Sequence, residues 1–529
     1  YTLWHTLSLH DALPIWIPSP IAEDTFLRSR LRWDERDRET HRAHLDRTCR
    51  LLALRRELAK GGFPATDPTG EVVGETAVRV TWRLADGGGL VLLANLGGGE
   101  VDGLEPPSRA PLVTSDERVG GVLGQGRLSA WGVAWFRVPP GETQEPEPEP
   151  EGPVPRATYR LQMTSDFTLG DAAELVPYLA ELGASHLYLS PILQARAGSR
   201  HGYDIVDHGA ISSELGGEEA LDALSRRLDE HSMGLILDLV PNHMGVMGAD
   251  NAWWLDLLEN GAAAEHAETF DVQWRPVKRE LEDKVLVPVL GASYGDVLDA
   301  GDLKLTFDPD AGRFAVRYYE HLFPVDPATC PTLLRLALAR LEERLPASDV
   351  LLPELESLAD AFEELPRRTE RDPEAVLRRR RDSAVHRRRL SQLCAESDEV
   401  AAALRNAVAE HNRDARGRLH PLCEAQGWRL AHWKTAADEI NYRRFFDIND
   451  LAGLRAERPE VFAATHRLVL ELVAEGRVDG LRIDHVDGLA DPAGYLERLR
   501  AATHRPVYTV AEKILAPHER LRETWPVAG

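Results

Sequence analysis

GLILDLVPNH, residues 234–243, is an apolar run that ends abruptly in polar residues. Four other stretches share that form: ATYRLQM (157–163), SHLYLSPIL (185–193), VDGLRIDH (478–485) and PVYTVAEKIL (506–515). Helical segments lie between them, as in LGDAAELVPYLAELG, where Leu169, Ala172, Ala173, Val176 and Leu179 recur at the helix period. Near-continuous apolar strands covered by helices predict a parallel sheet buried on both faces, and so an α/β fold. The leading architecture is a partial (β/α)8 TIM barrel, with Asp238, Asp484 and Glu512 at the C-terminal strand ends, where barrel enzymes carry their chemistry. A doubly wound sheet shares the pattern, but no glycine-rich phosphate fingerprint follows the first strand.

The third and fourth of these strands lie about 235 residues apart, so the segment at about 244–477 must hold structure of its own. Residues 333–410 are charge-dense and mostly helical in period, which predicts a long, largely helical insertion. Within it LRRRRDSAVHRRRL (377–390) is basic enough to grip a polyanion, yet ELESLADAFEEL precedes it and the whole chain is acidic. A solvated helical face is the expectation there.

Ahead of the barrel pattern the rhythm differs. Residues 1–15, YTLWHTLSLHDALPI, have no basic n-region and are read as a non-native leader outside the fold. Residues 16–143 hold a helix over THRAHLDRTCRLLALRRELA (40–59) and then the short β-type runs AVRVTWRL, GLVLLANL and WGVAWFRV. Glycine- and proline-containing turns separate those runs, the pattern of a small antiparallel sandwich. QEPEPEPEGP (144–153) alternates proline with like charge, which favours an extended spacer and sets a linker at 144–154.

With 62 basic residues against 86 acidic ones, a net charge of −24 disfavours nucleic acid and favours a neutral ligand. No apolar run approaches the roughly 18–20 residues of a membrane span. Cys49, Cys330, Cys394 and Cys423 form no CxxC pair, which suggests neither a zinc site nor a disulfide framework and fits a reducing cytoplasm.

The candidate chemistry lies at two strand ends. Residues two apart on a strand share a face, so Arg482 and Asp484 point together into the barrel mouth. An adjacent guanidinium is expected to hold the carboxylate ionised, as a nucleophile requires. Glu512, at the end of VYTVAE, is the matching proton donor. Two carboxyl groups roughly 5–5.5 Å apart are the apparatus of a retaining glycosidase.

These residues resemble the alpha-amylase family of glycoside hydrolases. DLVPNHMG (238–245), GLRIDHVDGL (480–489) and VAEKIL (510–515) look like its first three motif regions, and HGYDIVDH (201–208) like its sugar-stacking loop. RATYRLQ, LSPIL, DNAWWLDLLENG and YRRFFDINDL bring residues 155–529 closer to one branch, the malto-oligosyltrehalose synthases. The resemblance implies Asp484 as nucleophile, Glu512 as general acid/base and Arg482 as orienting partner. It also implies Tyr203, Asp204, Asp238, Asn242, His243 and His485 as pocket or sugar-contacting groups.

The implied activity is an intramolecular transglucosylation of maltodextrin (a glucosylmutase) that turns the reducing-end α-1,4 bond into an α,α-1,1 bond, without metal or organic cofactor. Water reaching the intermediate would make the same groups an α-1,4-glucan or maltooligosyltrehalose hydrolase; a glycan-binding fragment would do neither. WIPSPIAEDTFLRSRLRW and WGVAWFRV resemble the C-terminal end of a malto-oligosyltrehalose trehalohydrolase, which implies a functional partnership with that enzyme. With five barrel strands counted and the family's third catalytic carboxylate unmatched, the chain as written is expected to be inactive.

Overall fold

The computed structural model describes residues 33–59, 68–84, 86–115, 117–139 and 154–529, which fall into a smaller N-terminal and a larger C-terminal unit. The leader, most of the linker and nearly all of WIPSPIAEDTFLRSRLRW lie outside the described residues.

The N-terminal unit holds a helix, Glu39–Ala59, and one antiparallel sheet. Its strands are β1 (Thr69–Val73), β2 (Ala77–Arg83), β3 (Gly89–Asn95), β4 (Val113–Thr114) and β5 (Val133–Val138), in the order β1-β2-β3-β5-β4. Alternation along β5 buries Ala134 and Phe136 and turns Trp135 to the other face, where it stacks on Trp82 with centroids 5.3 Å apart. The expected second sheet of a sandwich is replaced among the described residues by the helix Glu117–Leu123 and the segment bridged by Val101 and Leu128. The run LGGGEVDGLEPPSRAPL, residues 96–112, explains the difference, since its glycines and prolines cannot sustain a hydrogen-bonded ladder.

The larger unit is organised around five parallel strands: β6 (Thr158–Leu161), β7 (His186–Leu189), β10 (Gly234–Leu239), β19 (Gly480–Ile483) and β20 (Tyr508–Ala511). They pair in that order, with helices Leu169–Leu182, Gly217–Glu230, Pro459–Ala474 and Pro492–Ala502 in the connections. A small antiparallel pair, β8 (Leu193–Ala195) and β9 (Ile205–Ile211), follows β7. Leu187, Leu189, Leu235, Leu237, Leu481 and Ile483 form the buried apolar rows. Register puts Tyr188 beside Ile236, and Asp238 beside Arg482, so the polar residues collect on the opposite face.

The insertion between β10 and β19 is more mixed than its charge pattern predicts. It begins with β11 (His243–Gly245) and carries β12 (Val285–Leu290), β13 (Lys304–Asp308), β14 (Arg313–Tyr318) and β15 (His321–Pro324). The helices Pro331–Glu342, Leu351–Glu363, Pro373–Glu396 and Asp398–Arg413 follow, then β16 (Trp428–His432), β17 (Arg444–Phe445) and β18 (Ile448–Gly453). β12 pairs with β16, β13 to β15 form a meander, and β11-β18-β17 form a third small sheet. The helix Pro459–Ala474 leads directly into β19 and packs on β9, so it belongs to the barrel layer.

The basic run is only partly the solvated face expected of it. Arg380, Arg381 and Arg389 pair with Glu265, Asp382 and Glu354 at the surface, but Arg379 is fully buried. Its guanidinium donates to Asp326 Oδ1 at 2.8 Å, Pro366 O at 2.7 Å and Asn260 Oδ1 at 3.1 Å. Arg387 reaches the buried Glu259 at 2.6 Å. These contacts pin the helix to the segments before it. Arg379→Met should therefore destabilise the protein by about 3–5 kcal/mol, because the buried Asp326 loses its guanidinium partner and Asn260 and Pro366 lose a donor. Denaturant unfolding checks this, and Arg379→Met with Asp326→Leu should recover much of the loss.

Candidate active site

The site lies at the C-terminal ends of β10, β19 and β20, where the apolar runs stop and the chain turns. Asp484 follows β19 directly, its N–H donating to Leu239 O at 2.9 Å, and Glu512 follows β20, its N–H donating to Ile483 O at 2.8 Å. The ladder thus carries one residue past each strand and fixes both carboxylate-bearing backbones. After Asp484 the chain reverses through His485, held at a left-handed φ of 45°, into the 3-10 turn Val486–Gly488. Gly488 is required there, since a Cβ would sit 2.5 Å from Asn242 Oδ1.

Arg482 organises the charges. Nη1 donates to Asp238 Oδ1 and to Asp484 Oδ1, both at 2.7 Å, and Nη2 lies 3.0 Å from Glu512 Oε2. The His485 N–H also donates to Glu512 Oε2, at 3.0 Å. Both candidate catalytic carboxylates are therefore held on one guanidinium. Asp238 is saturated from the other side by Tyr188 Oη at 2.8 Å and Tyr203 Oη at 2.7 Å. Arg160 lies 3.2 Å from Tyr203 Oη and over the Tyr188 ring.

Exposure separates the roles. The Asp238 side chain is 0% exposed, that of Asp484 7%, and that of Glu512 40%. Tyr203, Asp204, His243, Arg482, Asp484, His485 and Glu512 line one cavity of about 450 Å³. Asp238 and Asn242 are buried and are not among the residues that line it. Asn242 Oδ1 accepts from Arg443 Nη1 at 2.8 Å, and that guanidinium also donates to Gly488 O at 3.0 Å.

The expectation that Arg482 holds Asp484 ionised needs correction. Burial raises the Asp484 carboxyl from 3.8 to about 7, with Asp238 and Glu512 adding to the rise and Arg482 opposing it. The physical reason is the count of charges: three carboxylates share the Arg482 guanidinium, and the buried Asp484 Oδ2 has no hydrogen-bond partner among the described residues. Burial and the Asp238 carboxylate also push the Tyr203 phenol up, and Tyr188 up to about 12. His243 is pushed down to about 3 by burial. It is therefore neutral, and because a carbonyl can only accept, Nε2–H donates to Tyr203 O at 3.1 Å. Nδ1 is left as a buried acceptor with no partner among the described residues.

A pH dependence of stability follows. The folded protein binds the Asp484 proton more tightly than the unfolded chain, so unfolding releases it between pH ~4 and ~7, and this group's contribution to stability falls as pH rises through that window. Asp484→Asn should flatten the slope and stabilise the protein at pH 8 relative to the parent. Urea unfolding at pH 4.5 and pH 8 checks this.

Several site residues have no sequence signal. Tyr188 joins because register puts it beside β10, and Arg160 because it lies beside Tyr188 on the next strand; Phe445, Phe446, Arg196 and Asp450 reach the cavity from distant segments. Arg196 lies 3.6 Å from Asp450, across the gap between the β8-to-β9 loop and β18.

Comparison with known proteins finds several likenesses. Residues 164–294 match the alpha amylase catalytic domain, and residues 68–135 match a domain of unknown function (DUF3459). The chain is 35% identical over 380 residues to a putative maltooligosyl trehalose synthase of Mycobacterium tuberculosis, covering 70% of this chain and 36% of that protein. It is 32% identical over 153 residues to a cyclomaltodextrinase of Geobacillus thermopakistaniensis, covering 28% of this chain and 25% of that protein. A solved maltooligosyltrehalose synthase from Arthrobacter ramosus is 35% identical, with a TM-score of 0.48, over 70% of this chain and 36% of that one. The chain thus spans about a third of the length of the synthases it matches. Among the described residues no helix is long and apolar enough to cross a membrane.

Proposed function

We propose that this chain, whose residues 164–294 match the alpha amylase catalytic domain, belongs to an intramolecular transglucosylase that converts the reducing-end α-1,4 bond of a maltodextrin into an α,α-1,1 bond. The observation that carries the reading is the pair of carboxylates on Arg482, one buried and one open to the cavity. Glu512 protonates the oxygen that links the terminal glucose. Asp484, ionised, takes the remaining chain as a β-linked ester. The freed glucose then turns, its anomeric hydroxyl gives its proton to Glu512, and its oxygen displaces Asp484. Two inversions give net retention.

Tyr203 and His485 face the bound sugar, and the buried His243 ring backs the same wall. Asp204 is fixed by Ser199 and lines the same wall. The N-terminal unit is read as the end of a trehalohydrolase, the partner that would release trehalose from the product, with both working in the cytoplasm. A reducing-end assay on the full protein with maltopentaose tests the reading. Non-reducing, trehalose-ended products are expected; new reducing ends alone would make it a hydrolase.

A further inference from the structure

The turn between β17 and β18 breaks a local rule. Phe445 pairs with Ile448, so Phe446 and Asp447 form a two-residue hairpin loop. Phe446 takes its first central position at a φ of 50°, where glycine or asparagine is favoured and a bulky aromatic is an outlier. The strain is not repaid by burial, since Phe446 is 60% exposed. Its ring lines the cavity instead, with its centroid 4.8 Å from that of His485 and 4.7 Å from that of Phe445. His485, next to the nucleophile, is itself left-handed, so two strained residues meet at the cavity wall.

The turn is held firmly for a surface hairpin. Arg444 Nη1 donates to Asn449 Oδ1 at 2.6 Å, Tyr442 Oη donates to Asn449 O at 3.1 Å, and Val246 N–H donates to Asp450 O at 2.9 Å. A costly backbone, an unburied ring and a rigid support at the rim of a reactive cavity together indicate a ligand contact.

We propose that Phe446 is a specificity-determining residue: a glucose ring packs on it, and that packing keeps water from the sugar ester formed on Asp484. This rests on the reaction proposed above. In transfer, the ester C–O bond breaks as the anomeric oxygen of the freed glucose bonds to that carbon, the hydroxyl proton passes to Glu512, and Asp484 leaves as carboxylate. In hydrolysis, a water oxygen takes the place of the glucose oxygen. The Phe446 ring covers the approach that water would use.

Phe446→Gly suits the turn, so it separates function from packing. In the full protein its melting temperature should equal or exceed the parent's. In an Asp484→Asn background, calorimetric binding of maltopentaose should weaken by about tenfold. With Asp484 intact, the share of consumed maltopentaose appearing as new reducing ends should rise several-fold, and Phe446→Tyr should restore both properties. Binding within about twofold of the background protein, an unchanged share of reducing ends, or a clear fall in melting temperature would each overturn the proposal. If the parent releases reducing ends only, the transglucosylase reading fails, and the binding measurement alone still decides whether Phe446 carries the sugar.

Discussion

Replacing Asp484 by asparagine should lower maltopentaose turnover by a factor on the order of 10^4 while the sugar still binds. The amide keeps the shape at the end of β19 and the Arg482 contact site, but it cannot form the ester. The parent should show the acid limb that the raised carboxyl dictates: turnover climbs as pH rises through about 7, because only the ionised group attacks. Product chromatography across pH 5 to 9 reads both effects. Turnover within tenfold of the parent would remove Asp484 from the mechanism.

Glu512→Gln should be nearly as damaging with maltodextrin, by about 10^2–10^4, since one group must first donate a proton and then accept one. A maltosyl fluoride needs little acid assistance to depart. The variant should therefore recover much of its first step on that substrate, seen as a burst of fluoride. Equal loss on both substrates would make Glu512 a support for Arg482 and His485.

The sequence reveals much of this site and little of its assembly. Five strand ends and the residues on them can be read locally, because an apolar run that stops at Asp or Glu needs no partner to be recognised. Pairing is a different matter. Asp238 meets Arg482 across a separation of 244 residues, and nothing local says that two tyrosines complete the same carboxylate. The raised carboxyl of Asp484 is hidden from the sequence for the same reason. One neighbouring arginine is visible along the strand, but the two other carboxylates that share it are not. Phe446 carries a signal only in retrospect, as an aromatic in a two-residue turn. In the N-terminal unit three β-type runs predict strands well, but whether a further sheet covers them depends on the segment at 96–112, whose prolines and glycines outweigh its few apolar residues.

The long insertion also imposes an order on how the protein comes into being. β10 and β19 are neighbours in the sheet, yet about 240 residues are made between Leu239 and Gly480. At ~5–20 residues per second a ribosome takes roughly 12–50 s over that length. Throughout that interval the nascent β10 lacks its β19 partner on one edge, and Asp238 lacks the Arg482 guanidinium that meets it in the finished fold. Local units of the insertion, such as the β13-to-β15 meander and the four-helix run, close meanwhile, because their contacts are short in sequence. The site thus forms only after the insertion has been made, and the exposed edge of β10 is vulnerable to aggregation until Arg482 arrives.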